Sequence, residues 1–213
     1  MKLKFSKVNI EFEIVFIIVF LVFIFSNTIR KILFSFYMCY LFIIFHELAH
    51  LTIALLFGKE IENFKFSLSG VCIELKKKRF DLKGNKRLKI ENIEEIILYL
   101  AGPISNIILA YIFNNNKMIC EINIAFAIIN LLPIFPLDGY NILDNLLELF
   151  SMRLKKREVI LEILSNILIF ILFFVGIVQL LFLFNPSIIM FSFYVFLIQF
   201  NNKKRQKFTN YGI

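Results

Sequence analysis

The sequence predicts an all-α polytopic membrane protein, with about six transmembrane helices and one short membrane-associated β-hairpin. Three observations predict it. Of 213 residues, 59% are hydrophobic and only 19% charged, and the mean hydropathy is +0.78. Soluble domains run about 45–50% apolar and about 25% charged. There are six apolar runs, four of which approach or exceed the roughly 20 helical residues that cross a bilayer. With the N-terminus inside, 21 of the 24 Lys and Arg residues fall in segments on one side and three on the other. Cytoplasmic loops show that asymmetry. The net charge of +8 is then a record of topology, and no nucleic-acid partner is expected. The same composition excludes a disordered or collagenous chain.

The first run, Ile14 to Phe25, follows Lys2, Lys4 and Lys7 and so mimics a secretory signal. No small-residue cleavage site follows at Ser26-Asn27-Thr28, so the reading is an uncleaved span. The second run, Ile32 to Phe57, is interrupted by His46, Glu47 and His50. A cytoplasmic loop, 58–92, comes next. Within it Phe64, Phe66 and Leu68 alternate with polar residues, as do Val71, Ile73 and Leu75, and a period of two predicts strands. A tight turn at Ser69-Gly70 would set Leu68 opposite Val71, Phe66 opposite Ile73, Phe64 opposite Leu75 and Lys65 opposite Glu74. Such a hairpin either plugs the cytoplasmic side or offers an edge to an extended peptide. Lys76-Lys77-Lys78-Arg79 serves topology or meets lipid headgroups.

The third run is Ile93 to Phe113 and the fourth Ile119 to Leu137. Tyr140 to Glu158 carries Leu143, Leu146, Leu147, Phe150 and Leu154 at helical spacing. It reads as one amphipathic helix on the inner surface, with Arg153 to Arg157 at its C-terminal end, where cations suit the helix dipole. The fifth run is Val159 to Phe184. Asn185-Pro186 turns the chain into a short sixth, Ile188 to Phe200. The whole is one membrane-embedded domain, 1–213, multi-pass, with both termini cytoplasmic. Cys39, Cys72 and Cys120 are far apart and form no disulfide framework.

An ionisable group inside a span is costly and marks function by default. The chain has two histidines, His46 and His50, four apart in Phe45-His46-Glu47-Leu48-Ala49-His50. At that spacing they share a helix face and can hold one zinc, with Glu47 as general base. A polar knot that merely joins helices is a poor alternative. Helix–helix hydrogen bonds in membranes contribute about 0.6–2 kcal/mol, and one charge at mid-bilayer costs about 2.5–3.5 kcal/mol. A catalytic zinc takes three protein ligands, and no third histidine exists. Asp138 is assigned as the third, because it ends the segment Asn130-Leu131-Leu132-Pro133-Ile134-Phe135-Pro136-Leu137-Asp138-Gly139. Its two prolines break the helix, and irregular backbone at membrane depth lines cavities. Cys39 is the fallback, two turns from His46 on the same helix.

His46-Glu47-Leu48-Ala49-His50, the Gly102-Pro103 span and the Asn130 to Gly139 string together resemble the site-2 protease family of intramembrane zinc metalloproteases, peptidase family M50. The string looks most like its sporulation branch. The resemblance covers roughly residues 32–150, the expected catalytic core. It implies zinc on His46, His50 and Asp138, with Glu47 catalytic. Gly102 and Asn106 match the family's central GxxxN motif. Asn130 and Pro136 match substrate-binding or transition-state-supporting positions. It further implies a membrane-anchored protein substrate, in that branch a sigma-factor precursor, together with inhibitory membrane partners and a homo-oligomer. This chain reads Leu137-Asp138-Gly139-Tyr140-Asn141 where the sporulation branch reads LDGGR. Only about 13 residues follow the last span, so the nucleotide-binding domain of that branch is not expected. Two other readings remain open on the residues alone: a membrane ion or metal transporter using the His-Glu-His set, since broken helices suit transporters too, and a non-catalytic membrane adaptor.

Overall fold

The computed structural model describes residues 2–5, 8–12, 27–59, 61–67, 70–75 and 85–210, with side chains over 37–59 and 89–201. The chain divides into two compact units, residues 1–88 with 100–127, and residues 89–99 with 128–213.

The first unit contains a four-stranded sheet. Strands β1 (Lys2–Phe5) and β2 (Val8–Phe12) are antiparallel, β2 runs parallel to β3 (Ile61–Ser67), and β3 is antiparallel to β4 (Gly70–Leu75). The order is β1-β2-β3-β4. The expected hairpin is therefore present, but its register differs. Phe64 pairs with Ile73, Phe66 with Val71 and Ser67 with Gly70, while Lys65 meets Cys72 and not Glu74. Gly70 thus opens β4. Each of these pairings has slipped by two from the expected register. Alternation cannot separate registers that differ by two. The outer edge of β3 is covered by β2, so an extended peptide would find no edge there. The strands β1 and β2 were unexpected, though Leu3, Phe5, Val8, Ile10 and Phe12 alternate in the same way. The first apolar run, 14–25, lies outside the described residues.

Helix α1 (Asn27–Leu56) ends at Gly58, which takes φ +64. There the amide of Gly58 donates to the Leu55 carbonyl and that of Lys59 to Ala54, each at 2.9 Å. A left-handed closing residue favours glycine. Helices α2 (Asn85–Ile112) and α3 (Lys117–Asn130) follow. Among the described residues, three helical stretches are long and apolar enough to cross a membrane, Tyr37–Leu56, Lys89–Ile112 and Leu154–Leu183, and Ser187–Asn201 is a shorter apolar helix. The fourth run is not a full-length helix. Its helix α3 has 14 residues, and the chain from Leu131 to Leu137 is irregular, because Pro133 and Pro136 supply no amide hydrogens.

In the second unit, α4 (Asp138–Leu149), α5 (Leu154–Leu183) and α6 (Ser187–Asn210) surround a small core of Ile134, Ile169 and Val195. The amphipathic helix expected over 140–158 is in fact two elements. Ser151 takes φ 59, and the amides of Ser151 and Met152 turn back to Glu148 and Leu147. Leu154 and the basic cluster therefore begin α5, and the dipole reading of that cluster does not hold. Gly176 lies against the backbone of Ile189, and Ser165 and Ser192 are fully buried. Small residues let apolar helices approach closely. Outward-facing Phe170, Phe174 and Phe182 on α5 are 62–78% exposed, a surface that fits lipid, not water.

Candidate metal centre

The first unit contains five of the expected residues. His46 and His50 sit one turn apart on α1, both buried, with Glu47 between them half-buried. Their Nε2 atoms converge to 3.1 Å, and the rings stand edge-on at 82°. Two imidazole nitrogens on one tetrahedral zinc, each at about 2.0–2.1 Å, would lie roughly 3.3 Å apart. The pair is thus already aimed at a common point.

Gly102 on α2 explains how the rings come so close to a second helix. A Cβ at this position would lie closer than 3.0 Å to Nε2 of both histidines. Only a hydrogen fits there, so glycine is a packing requirement of the imidazole pair. One turn further along the same helix, Asn106 is fully buried, and its Oδ1 accepts from His46 Nδ1 at 2.5 Å. Pro103 between them is fully buried too.

Sequence reasoning missed one residue of this set. Asn123 on α3 is fully buried. It accepts from Asn106 Nδ2 at 3.0 Å through its own Oδ1 and donates from Nδ2 to the Ile119 carbonyl at 2.9 Å. Its signal was a lone amide within the apolar run 119–129.

The second unit holds the others. Asp138 is the first residue of α4 and half-buried. The irregular segment before it closes on itself tightly, since a Cβ on Gly139 would fall closer than 3.0 Å to the carbonyl groups of Leu131 and Leu132. The amide of Phe135 donates to Ser165 Oγ at 3.3 Å. Ser165 in turn donates to Gln199 Oε1 at 3.1 Å, and Gln199 Nε2 to Asn166 Oδ1 at 3.0 Å. A backbone donor freed by the prolines is thereby satisfied, as buried amides require. Asn130 is half-buried at the end of α3, and Pro136 is exposed.

His46 and His50 offer two imidazole ligands from the first unit, and Asp138, the third ligand expected from the sequence, belongs to the second. Two imidazoles and one carboxylate are a set that suits catalytic zinc. Cys39, the fallback, is half-buried on α1.

The sequence model of peptidase family M50 matches residues 113–175, which include Asn123, Asn130 and Asp138. No curated protein matches the chain. Among solved structures, the chain is similar to the site-2 protease from Methanocaldococcus jannaschii, at 23% identity and a TM-score of 0.59, over 92% of each chain. At that identity the likeness speaks for a shared fold. The family model thus matches one segment of the chain, and the solved structure shares its fold.

Proposed function

We propose that this chain is a metallopeptidase of family M50, an intramembrane zinc endopeptidase that cleaves a membrane-spanning or membrane-associated segment of another protein. The observation that carries the reading is the convergence of the His46 and His50 Nε2 atoms, 3.1 Å apart, within a helix apolar enough to cross a membrane. Zinc would be held by His46, His50 and Asp138, and when bound it supplies Lewis acidity to the scissile carbonyl. Glu47, beside both histidines in sequence, takes the proton of the attacking water on its carboxylate and returns it to the leaving amine. Asn130 donates its side-chain amide to the developing oxyanion. Gly102 and Asn106 hold the rings in place, and Pro136 shapes the segment that ends in Asp138. The substrate has to present an extended stretch, because a helical carbonyl is already occupied by its own hydrogen bond.

The test is co-expression with membrane-anchored precursors, a sporulation sigma-factor precursor among them, comparing wild type with Glu47→Gln. The variant is expected to retain zinc and to lose cleavage by at least about 10²-fold, the range contributed by a positioned general base. Cleavage within a few-fold of wild type would overturn the assignment of Glu47.

A further inference from the structure

We infer that Asn123 is a positioning residue that sets the tautomer of His46 through Asn106. The inference deepens the zinc-site reading above and rests on it. One end of this chain of bonds cannot turn over. The Ile119 carbonyl is a pure acceptor, so the atom of Asn123 that meets it at 2.9 Å has to be the amide nitrogen. That places Asn123 Oδ1 toward Asn106, whose nitrogen then has to be the donor across 3.0 Å. Asn106 is left facing His46 with its oxygen, 2.5 Å from Nδ1. An oxygen acceptor there calls for a proton on Nδ1, which leaves the lone pair on Nε2, the nitrogen that converges with His50. Both asparagines are fully buried, so no solvent competes for these bonds. A backbone carbonyl three links away thus decides which nitrogen of His46 carries the lone pair that a metal would take. Partners of this kind fix ring orientation, and their loss weakens metal affinity by about 10–100-fold.

The test uses the full chain labelled with 15N-histidine, whose two histidines give four ring-nitrogen signals, together with titration by zinc alone. In wild type, His46 is expected to be protonated at Nδ1. In Asn123→Leu, Asn106 loses the acceptor that orients it. Both His46 tautomers should then populate, and zinc should bind about 10–100-fold more weakly. Adding Asn106→Asp should restore both the Nδ1–H signal and the affinity, because a carboxylate offers an oxygen whichever way it faces. A purely structural role for Asn123 would not be rescued by that second change. Protonation of His46 at Nε2 in wild type would overturn the inference without any variant. So would an unchanged tautomer in Asn123→Leu, or an affinity loss that Asn106→Asp leaves in place. Proteolysis is not read at any step, so a chain that passes this test and cleaves nothing would fail the functional reading alone.

Discussion

At the scale of single residues, the histidine pair was legible in the sequence and what packs around it was not. Two histidines four apart around a glutamate inside an apolar run have few other uses, and the structure puts both rings where that spacing implies. Gly102 could be read only as part of a motif. Its physical reason, two imidazoles pressed against its Cα, is a tertiary contact between α1 and α2 that no local pattern encodes. Gly102→Ala tests it. A methyl closer than 3.0 Å to both rings cannot be absorbed without moving them, and overpacking of this kind costs about 1–3 kcal/mol. The variant is expected to melt earlier in detergent and to carry less than one zinc per chain by elemental analysis. Unchanged melting with full zinc content would show that the rings have room to give. Asn123 was the harder case. Its amide stood out against Ile122 and Ile124, but its partner lies 17 residues away on another helix, and side-chain pairing across helices leaves no periodic trace.

At the scale of elements, hydropathy located the helices well and their ends poorly. The boundary between α4 and α5 shows why. Leu143, Leu147 and Leu154 keep helical spacing through a break that consists of one left-handed serine and two carbonyl-capping bonds. The break has a consequence for charge. Arg157, instead of solvating a helix end, is buried, with its Nε 3.3 Å from Asp144 and its Nη1 bonded to Glu148. It ties α4, which begins at Asp138, to α5. Burial holds the Asp144 carboxyl above its usual range, and Arg157 works against that rise. Arg157→Met should therefore destabilise the unit. The cost should fall between the about 0–1 kcal/mol of an exposed pair and the about 3–5 kcal/mol of a buried one, since both carboxylates keep access to water. The sign of its pH dependence follows. Without the arginine the Asp144 value rises further, and an acid raised in the folded state stabilises below its ordinary range and loses that contribution as pH climbs through the folded value. The gap in melting temperature between Arg157→Met and wild type is expected to narrow as pH is lowered into the carboxylate range. A constant gap from neutral to acidic pH would remove Asp144 from the account.

At the scale of the whole molecule, the distribution of basic residues constrains the path of the chain more tightly than helix length does. The loop 58–92 carries ten Lys and Arg, and the stretch 138–158 carries four. The positive-inside rule predicts both on the cytoplasmic side. On that expectation α2 leaves that side, and the chain from Lys117 to Leu137 would have to return. Helix α3 has 14 residues and at 1.5 Å per residue supplies roughly 21 Å of a hydrocarbon core about 30 Å thick. The remaining 9 Å or so has to come from residues 131–137, and seven residues of non-helical chain reach that far easily at about 3.3 Å each. Such backbone survives at depth only when it is enclosed by protein, and Ile134 at its centre is fully buried, with the Phe135 amide satisfied by Ser165. The fourth crossing is thus expected to be discontinuous, half helix and half loop, and its loop half is the part that delivers Asp138. Reporter fusions decide the matter. A periplasm-active reporter placed after Asn114 should be active and a cytoplasm-active one inactive, and the pattern should reverse after Met152. The same reporter active at both positions would mean that 117–137 dips into the membrane and leaves by the side it entered. In that case the basic stretch 153–157 would face away from the cytoplasm, against the charge asymmetry of the rest of the chain.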